Sequence, residues 1–346
     1  MGPMPDSPAE PRRTVVWCRP DQTSLVRRVR DLAGLNVIEA GSPEPARAGQ
    51  VAADLDAERT DDLRAAIAST DAELVLIADP GEFGSGASPE DLAALVGARS
   101  RHVTIAALEP VPPTALDMTG TGWTDPQTGG RAIDAIRLVN APRRTPALRA
   151  LADARESFGA VRSMSVEVLC PAAAGSLGAA LIGAIDLVLW TLGDPESVDA
   201  AYVGPGVGSA LHALPGQTLR DLHGDLSAMV RVPSGRAASV LASDRAGAWS
   251  CAVTLLGEAG VIRVSPAGFV WTGPDGETTD EHACDAPAGA AAMIADQLAR
   301  LLDPDGPTDA PINLPGALAV AQAALLSART GQGESPETIQ RLVARR

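Results

Sequence analysis

The sequence predicts an α/β protein: a doubly wound parallel sheet in the first third, then an α+β unit built on an open, mainly antiparallel sheet. Three observations predict it. From Asp71 to Pro113, two short apolar runs, Leu74 to Ala78 and Val103 to Leu108, bracket one helical stretch. That is the pattern of a βαβ unit, whose strands are buried on both faces and therefore do not alternate. Beyond residue 160 the apolar residues fall into period two, as in Val161 to Cys170 and Leu226 to Val232, which marks a sheet with one face covered. The length of 346 residues exceeds the usual single hydrophobic core, so two domains are expected.

In chain order, residues 1–13 are proline-rich without the apolar segment of a signal peptide or anchor, and a mobile tail is expected. The first unit, 14–113, opens with a strand over Thr14 to Cys18 and a helix over Thr23 to Ala33, with Leu25, Val26, Val29 and Leu32 on one face. A second strand, Leu35 to Ala40, ends at Gly41-Ser42-Pro43. Val51 to Leu55 reads as a short strand and Asp61 to Ser69 as a helix.

Residues 114–140 lose periodicity and gather Gly, Thr and Pro, as an irregular interdomain connection does. Trp123 in this stretch is a candidate for ligand contact or for packing between the domains. The second unit, 141–346, starts with a helix after Pro146. It then places a very apolar helix, Leu177 to Leu192, among its alternating strands. Two late helices, about Ala290 to Leu302 and Leu314 to Ala328, close the chain, the second packing back on the body.

Composition narrows the chemistry. All 28 basic residues are arginine, so Schiff-base chemistry and any lysine of tunable pKa are excluded. The net charge of -15, with no local basic patch, opposes nucleic acid and anionic membranes. The four cysteines, Cys18, Cys170, Cys251 and Cys284, are far apart. Their spacing suits free thiols in a reducing cytoplasm rather than a metal site.

The segments DAELVLIADP, HVTIAALEP, AIDLVLWTLGDPESVDAAYVG and LLGEAGVIRVS, in this order, resemble the Gfo/Idh/MocA family of NAD(P)-dependent oxidoreductases. The resemblance runs from about Thr14 to the C-terminus. It implies an N-terminal Rossmann domain, a nicotinamide dinucleotide, a sugar or polyol substrate, and a homodimer formed through the open face of the C-terminal sheet.

Three departures qualify it. Where the family carries Gly-x-Gly-x-x-Gly, this chain reads Cys18-Arg19-Pro20-Asp21-Gln22-Thr23-Ser24. It lacks the glycines that let backbone N–H groups approach the pyrophosphate, and Asp21 sets a carboxylate at the positive end of the helix. The Glu-Lys-Pro motif is reduced to Glu109-Pro110. Asp186 of the family's helix is present, but Gly183 stands where a histidine would be, one turn earlier on the same face.

Two readings remain. In one, the chain has lost or altered its catalysis and is retained for ligand binding or assembly, with no assigned cofactor. In the other, it is a divergent NAD(P)-dependent oxidoreductase. NAD or NADP would then be held by Arg19, Gly41, Ser42, Asp79, Pro80, Gly81 and Pro110, with Glu109 or Asp186 as base; on the first reading Glu109 is a strand-end carboxylate in water. His102 reads as a strand-start residue, His223-Gly224-Asp225 as a hydrogen-bonded turn, and Gly204 to Ser209 as a flexible cleft loop.

Overall fold

The computed structural model describes residues 10–69, 71–118, 122–204, 218–285, 289–304 and 311–344. Most of the expected tail and nearly all of the Gly204 to Ser209 loop lie outside them. The first strand, β1 (Arg12–Trp17), begins inside the expected tail. It is followed by α1 (Thr23–Ala33), β2 (Leu35–Gly41), α2 (Ala48–Leu55), β3 (Glu58–Arg59), α3 (Leu63–Ser69), β4 (Leu74–Ile77), α4 (Pro89–Ser100), β5 (Thr104–Ala107) and β6 (Ile136–Leu138).

These strands form a six-stranded sheet in the order β3-β2-β1-β4-β5-β6, parallel at every pairing. All four residues of β4 are buried, as an apolar run without alternation requires. Ser88 accepts a hydrogen bond from the Asp91 N–H ahead of Pro89 and so caps α4, while Gly34 ends α1 in the left-handed conformation.

Two expectations are corrected here. Val51 to Leu55 belongs to α2, because Ala48, Val51, Ala52 and Leu55 are buried at helical spacing. The stretch expected to be wholly irregular supplies the edge strand β6, which is too short for periodicity to show. Trp123 in that stretch is 1% exposed. It is buried among Phe83, Val111 and Ile133 on one side of the parallel sheet, and its Nε1 donates to the Asp117 carbonyl at 2.6 Å.

The second half runs α5 (Pro146–Phe158), β7 (Val161–Pro171), α6 (Leu177–Leu192), β8 (Ser197–Val203), β9 (Asp225–Val232), β10 (Arg236–Ser243), β11 (Arg245–Gly257), β12 (Gly260–Ser265), β13 (Gly268–Thr272) and β14 (Thr278–Ala283). The eight strands order as β14-β13-β12-β11-β7-β10-β9-β8. Only β7 and β10 pair in parallel; the other pairings are antiparallel.

Helix α6 covers one face of this sheet, with 13 of its 16 residues buried. The opposite face stays open and carries Met229 and Leu256 exposed. Helices α7 (Ala290–Leu302), α8 (Leu314–Thr330) and α9 (Pro336–Ala344) close the chain. Helix α8 lies on β8 and α6, and α7 packs against α1 of the first unit. No helix among the described residues is long and apolar enough to cross a membrane.

Candidate functional site

A cavity of about 740 Å³ lies beyond the carboxyl ends of the parallel strands, where ligands bind in such sheets. The turn after β1 gives it Arg19 and Asp21, the end of β2 gives Pro43 and Glu44, and the segment after β4 gives Asp79, Gly81, Glu82 and Ser85. The segment after β5 adds Glu109, Thr114 and Asp117, and the second unit adds Ala172, Thr218, Arg220, Asp221 and His223.

The turn after β1 is closed on itself. Gln22 is fully buried, and its Oε1 accepts from the Arg19 N–H at 3.0 Å while its Nε2 reaches the carbonyls of Ala78 and Ala173. Arg19 places Nη1 2.6 Å from Asp79 Oδ2 and Nε 3.1 Å from Asp21 Oδ1. Asp79 also accepts from the Gly81 N–H at 2.8 Å.

A dinucleotide needs converging N–H groups and positive charge at this helix start. Here Pro20 has no N–H, one amide is spent on Gln22, and the guanidinium is spent on two carboxylates. Among the described residues, the cavity wall carries seven carboxylates against two guanidiniums, which repels a diphosphate. The residues present do not fit the cofactor.

Of the residues expected around a cofactor, Arg19, Asp79 and Gly81 line the cavity, and Pro80, Gly41, Ser42 and Pro110 do not. Gly41 lies under the Trp17 ring, which a Cβ there would meet at 2.2 Å. Ser42 is buried, accepting from the Glu44 N–H. Pro110 turns its carbonyl to the Arg220 Nε at 3.2 Å.

Glu109 does line the cavity, yet it is no solvated strand-end group, being 3% exposed. Ser176, the N-cap of α6, gives it two hydrogen bonds, from its N–H and its hydroxyl, each 2.6 Å. Burial raises the Glu109 carboxyl to about 7 against these bonds, a value matched to proton exchange at neutral pH.

Asp186 does not line this cavity. Its Oδ2 lies 2.9 Å from Arg143 Nε, with both side chains largely buried. Burial pushes its pKa up, and Arg143 and Arg144 hold it down. The place of the family's histidine is filled as well, since a Cβ on Gly183 would lie 2.7 Å from Pro142 Cδ.

Two further cavity residues come from the second unit, Arg220 with no motif in the sequence and His223 from the HGD turn. Arg220 is nine-tenths buried and donates to the Pro110 and Gly81 carbonyls; burial lowers its pKa to about 10. His223 sets Nδ1 2.5 Å from Asp244 Oδ2. The HGD turn was legible, but its partner Asp244 lies 21 residues further on. His102 sits in the turn that ends α4, exposed and outside the cavity. The cysteines Cys18, Cys170 and Cys251 are pushed up to about 12 by burial, which leaves them without thiolate character.

This architecture is that of the two-domain Gfo/Idh/MocA-type oxidoreductases. An oxidoreductase from Agrobacterium radiobacter, solved with NAD+, L-tartaric acid and magnesium, matches with TM-score 0.64 at 16% identity, over 96% of this chain and 100% of its own. The UDP-N-acetylglucosamine 3-dehydrogenase of Acidithiobacillus ferrooxidans matches at 0.61 and 18%, over 92% and 98%. The WlbA dehydrogenase of Bordetella pertussis, solved with NADH and UDP-GlcNAcA, matches at 0.57 and 18%, over 94% and 98%. At these identities the likeness is one of fold. No family model matches the sequence, and no curated protein matches it either.

Proposed function

We propose that this protein uses the oxidoreductase fold to bind a small polar ligand in its interdomain cavity and works without a nicotinamide dinucleotide. The observation that carries the reading is the turn after β1, filled by Gln22 and closed by the contacts of Arg19 with Asp21 and Asp79. Titration with NADH and NADPH, followed by tryptophan fluorescence and calorimetry, tests it. The expected result is no binding at millimolar cofactor. A micromolar Kd, about -8 kcal/mol, overturns it.

One observation favours the second reading, a divergent NAD(P)-dependent oxidoreductase acting on a sugar or polyol: Glu109 reaches the cavity with a pKa near neutrality. Reduction of NAD+ or NADP+ in the presence of a sugar or polyol, abolished by Glu109→Gln, would establish it.

The reading includes a homodimer through the open face of the antiparallel sheet, supported by the exposed Met229, Leu256 and Val270 on that face. Light scattering at micromolar concentration checks it, and a monomer mass rejects it. A cytoplasmic location also belongs to the reading, supported by four free cysteines.

A further inference from the structure

We propose that His223, held by Asp244, is the residue on which this cavity recognises its ligand, and that the ligand is rich in hydroxyl or amino groups and carries no phosphate or carboxylate. The inference rests on the ligand-binding role proposed above and names its chemistry. Asp244 is 3% exposed and shares its two oxygens between the His223 ring and the Gly224 N–H, at 2.5 and 2.8 Å. Facing a carboxylate, Nδ1 is the donor, so the neutral ring carries its lone pair on Nε2.

The imidazole lines the cavity with its side chain 48% exposed, and the backbone beneath it is fixed. The Leu222 carbonyl accepts from the Leu177 N–H at 3.0 Å, and Tyr202 donates its hydroxyl to the His223 carbonyl at 2.6 Å. Gly178 allows this close approach, because a Cβ there would lie 2.2 Å from the Leu219 oxygen. A lone pair on a rigid mount, turned by a buried carboxylate, is a directional acceptor for a ligand O–H or N–H.

The rest of the wall has the same bias. Glu44, Glu82, Asp117 and Asp221 line the cavity with carboxylates, which only accept when ionised. On the donor side Arg19 is engaged by Asp21 and Asp79. Arg220 is engaged by two carbonyls, and its Nη2 is buried. A wall that accepts more than it donates matches a donor-rich molecule. A phosphate or carboxylate brings further acceptors and negative charge into a cavity that already holds an excess of both.

Calorimetry on the full chain with D-glucosamine, D-glucose and D-glucuronate tests this, since the three share one ring and differ in charge. The expected order is glucosamine or glucose tightest, with glucuronate weaker by about tenfold or more. In His223→Asn the amide nitrogen stands at the δ position and can still donate to Asp244, while no atom takes the place of Nε2. This variant is expected to weaken the tightest probe by about tenfold, with Tm unchanged within about 2 °C.

Glucuronate binding best, none of the three binding, or an unaltered affinity in His223→Asn overturns the inference. NADH separates it from the reading on which it rests. If the sugars fail and NADH fails too, only the ligand class is wrong. If NADH binds while the expected order and the variant's loss both hold, the cofactor-free role is wrong and the part played by His223 stands.

Discussion

Glu109 and Ser176 meet across the boundary between the two units, with one carboxylate oxygen on the serine N–H and the other on its hydroxyl, both at 2.6 Å. The same hydroxyl oxygen accepts from the Ala179 N–H at 3.1 Å and so starts α6. One serine therefore caps a helix of the second unit and fixes the strand-end carboxyl of the first.

That carboxyl gives stability a pH dependence of definite sign. Burial raises Glu109 from 4.5 to about 7, so between these values the folded state keeps a proton that the unfolded chain releases. The contribution is fully present below pH 4.5 and is lost as pH rises through 7, by roughly 3 kcal/mol. Glu109→Gln, neutral throughout, should remove this slope. Urea denaturation of both proteins at pH 5 and pH 8 measures it, and parallel behaviour would contradict the raised pKa.

Introducing at position 183 the histidine that the family resemblance implies should fail for steric reasons. Gly183→His puts a Cβ 2.7 Å from Pro142 Cδ, and overpacking of this kind costs about 1–3 kcal/mol. Thermal denaturation should show a lowered Tm, and assays with NAD+ and polyols should show no gain. A variant as stable as the parent would mean that the segment around Pro142 moves aside freely.

The Arg143–Asp186 pair predicts a rescue. Arg143→Met leaves a buried carboxylate with its nearest cation removed, at a cost of about 3 kcal/mol. Because burial already raises the Asp186 pKa, this loss should grow from acid to neutral pH. Adding Asp186→Asn should recover most of it. Chemical denaturation of the two single variants and the double variant closes the cycle.

Gln22 predicts a stability effect without a functional gain. Gln22→Ala strips the partner from the Arg19 N–H and from the carbonyls of Ala78 and Ala173, costing roughly 2 kcal/mol. NADH should still not bind, because Pro20 and the contacts of Arg19 with its two carboxylates remain. Fluorescence titration of the variant decides the point; NADH binding would show that Gln22 alone blocks the phosphate position.

The fold was legible where local pattern and tertiary role coincide. Leu74 to Ile77 had to be covered on both faces, and Leu177 to Leu192 was too apolar for any other place than between sheet and body. Ile136–Leu138 was hidden because three residues carry no period, and Val51 misled because β-branched residues occur in helices too. At the site, Arg19, Asp79 and Glu109 followed from their places at strand ends. Arg220 and His223 lie on irregular chain, where no period marks which way a side chain faces. They came to light through contacts with Gly81, Pro110 and Asp244, all distant in sequence.

The docking of α7 on α1 bears on how the protein is made. A chain emerging from the ribosome has α1 from Thr23–Ala33 early, but the helix that covers part of it comes from Ala290–Leu302. At roughly 5–20 residues per second, the wait is on the order of ten seconds or more. The parallel sheet can assemble during that interval, yet its outer layer is finished only when the last quarter of the chain has been synthesised.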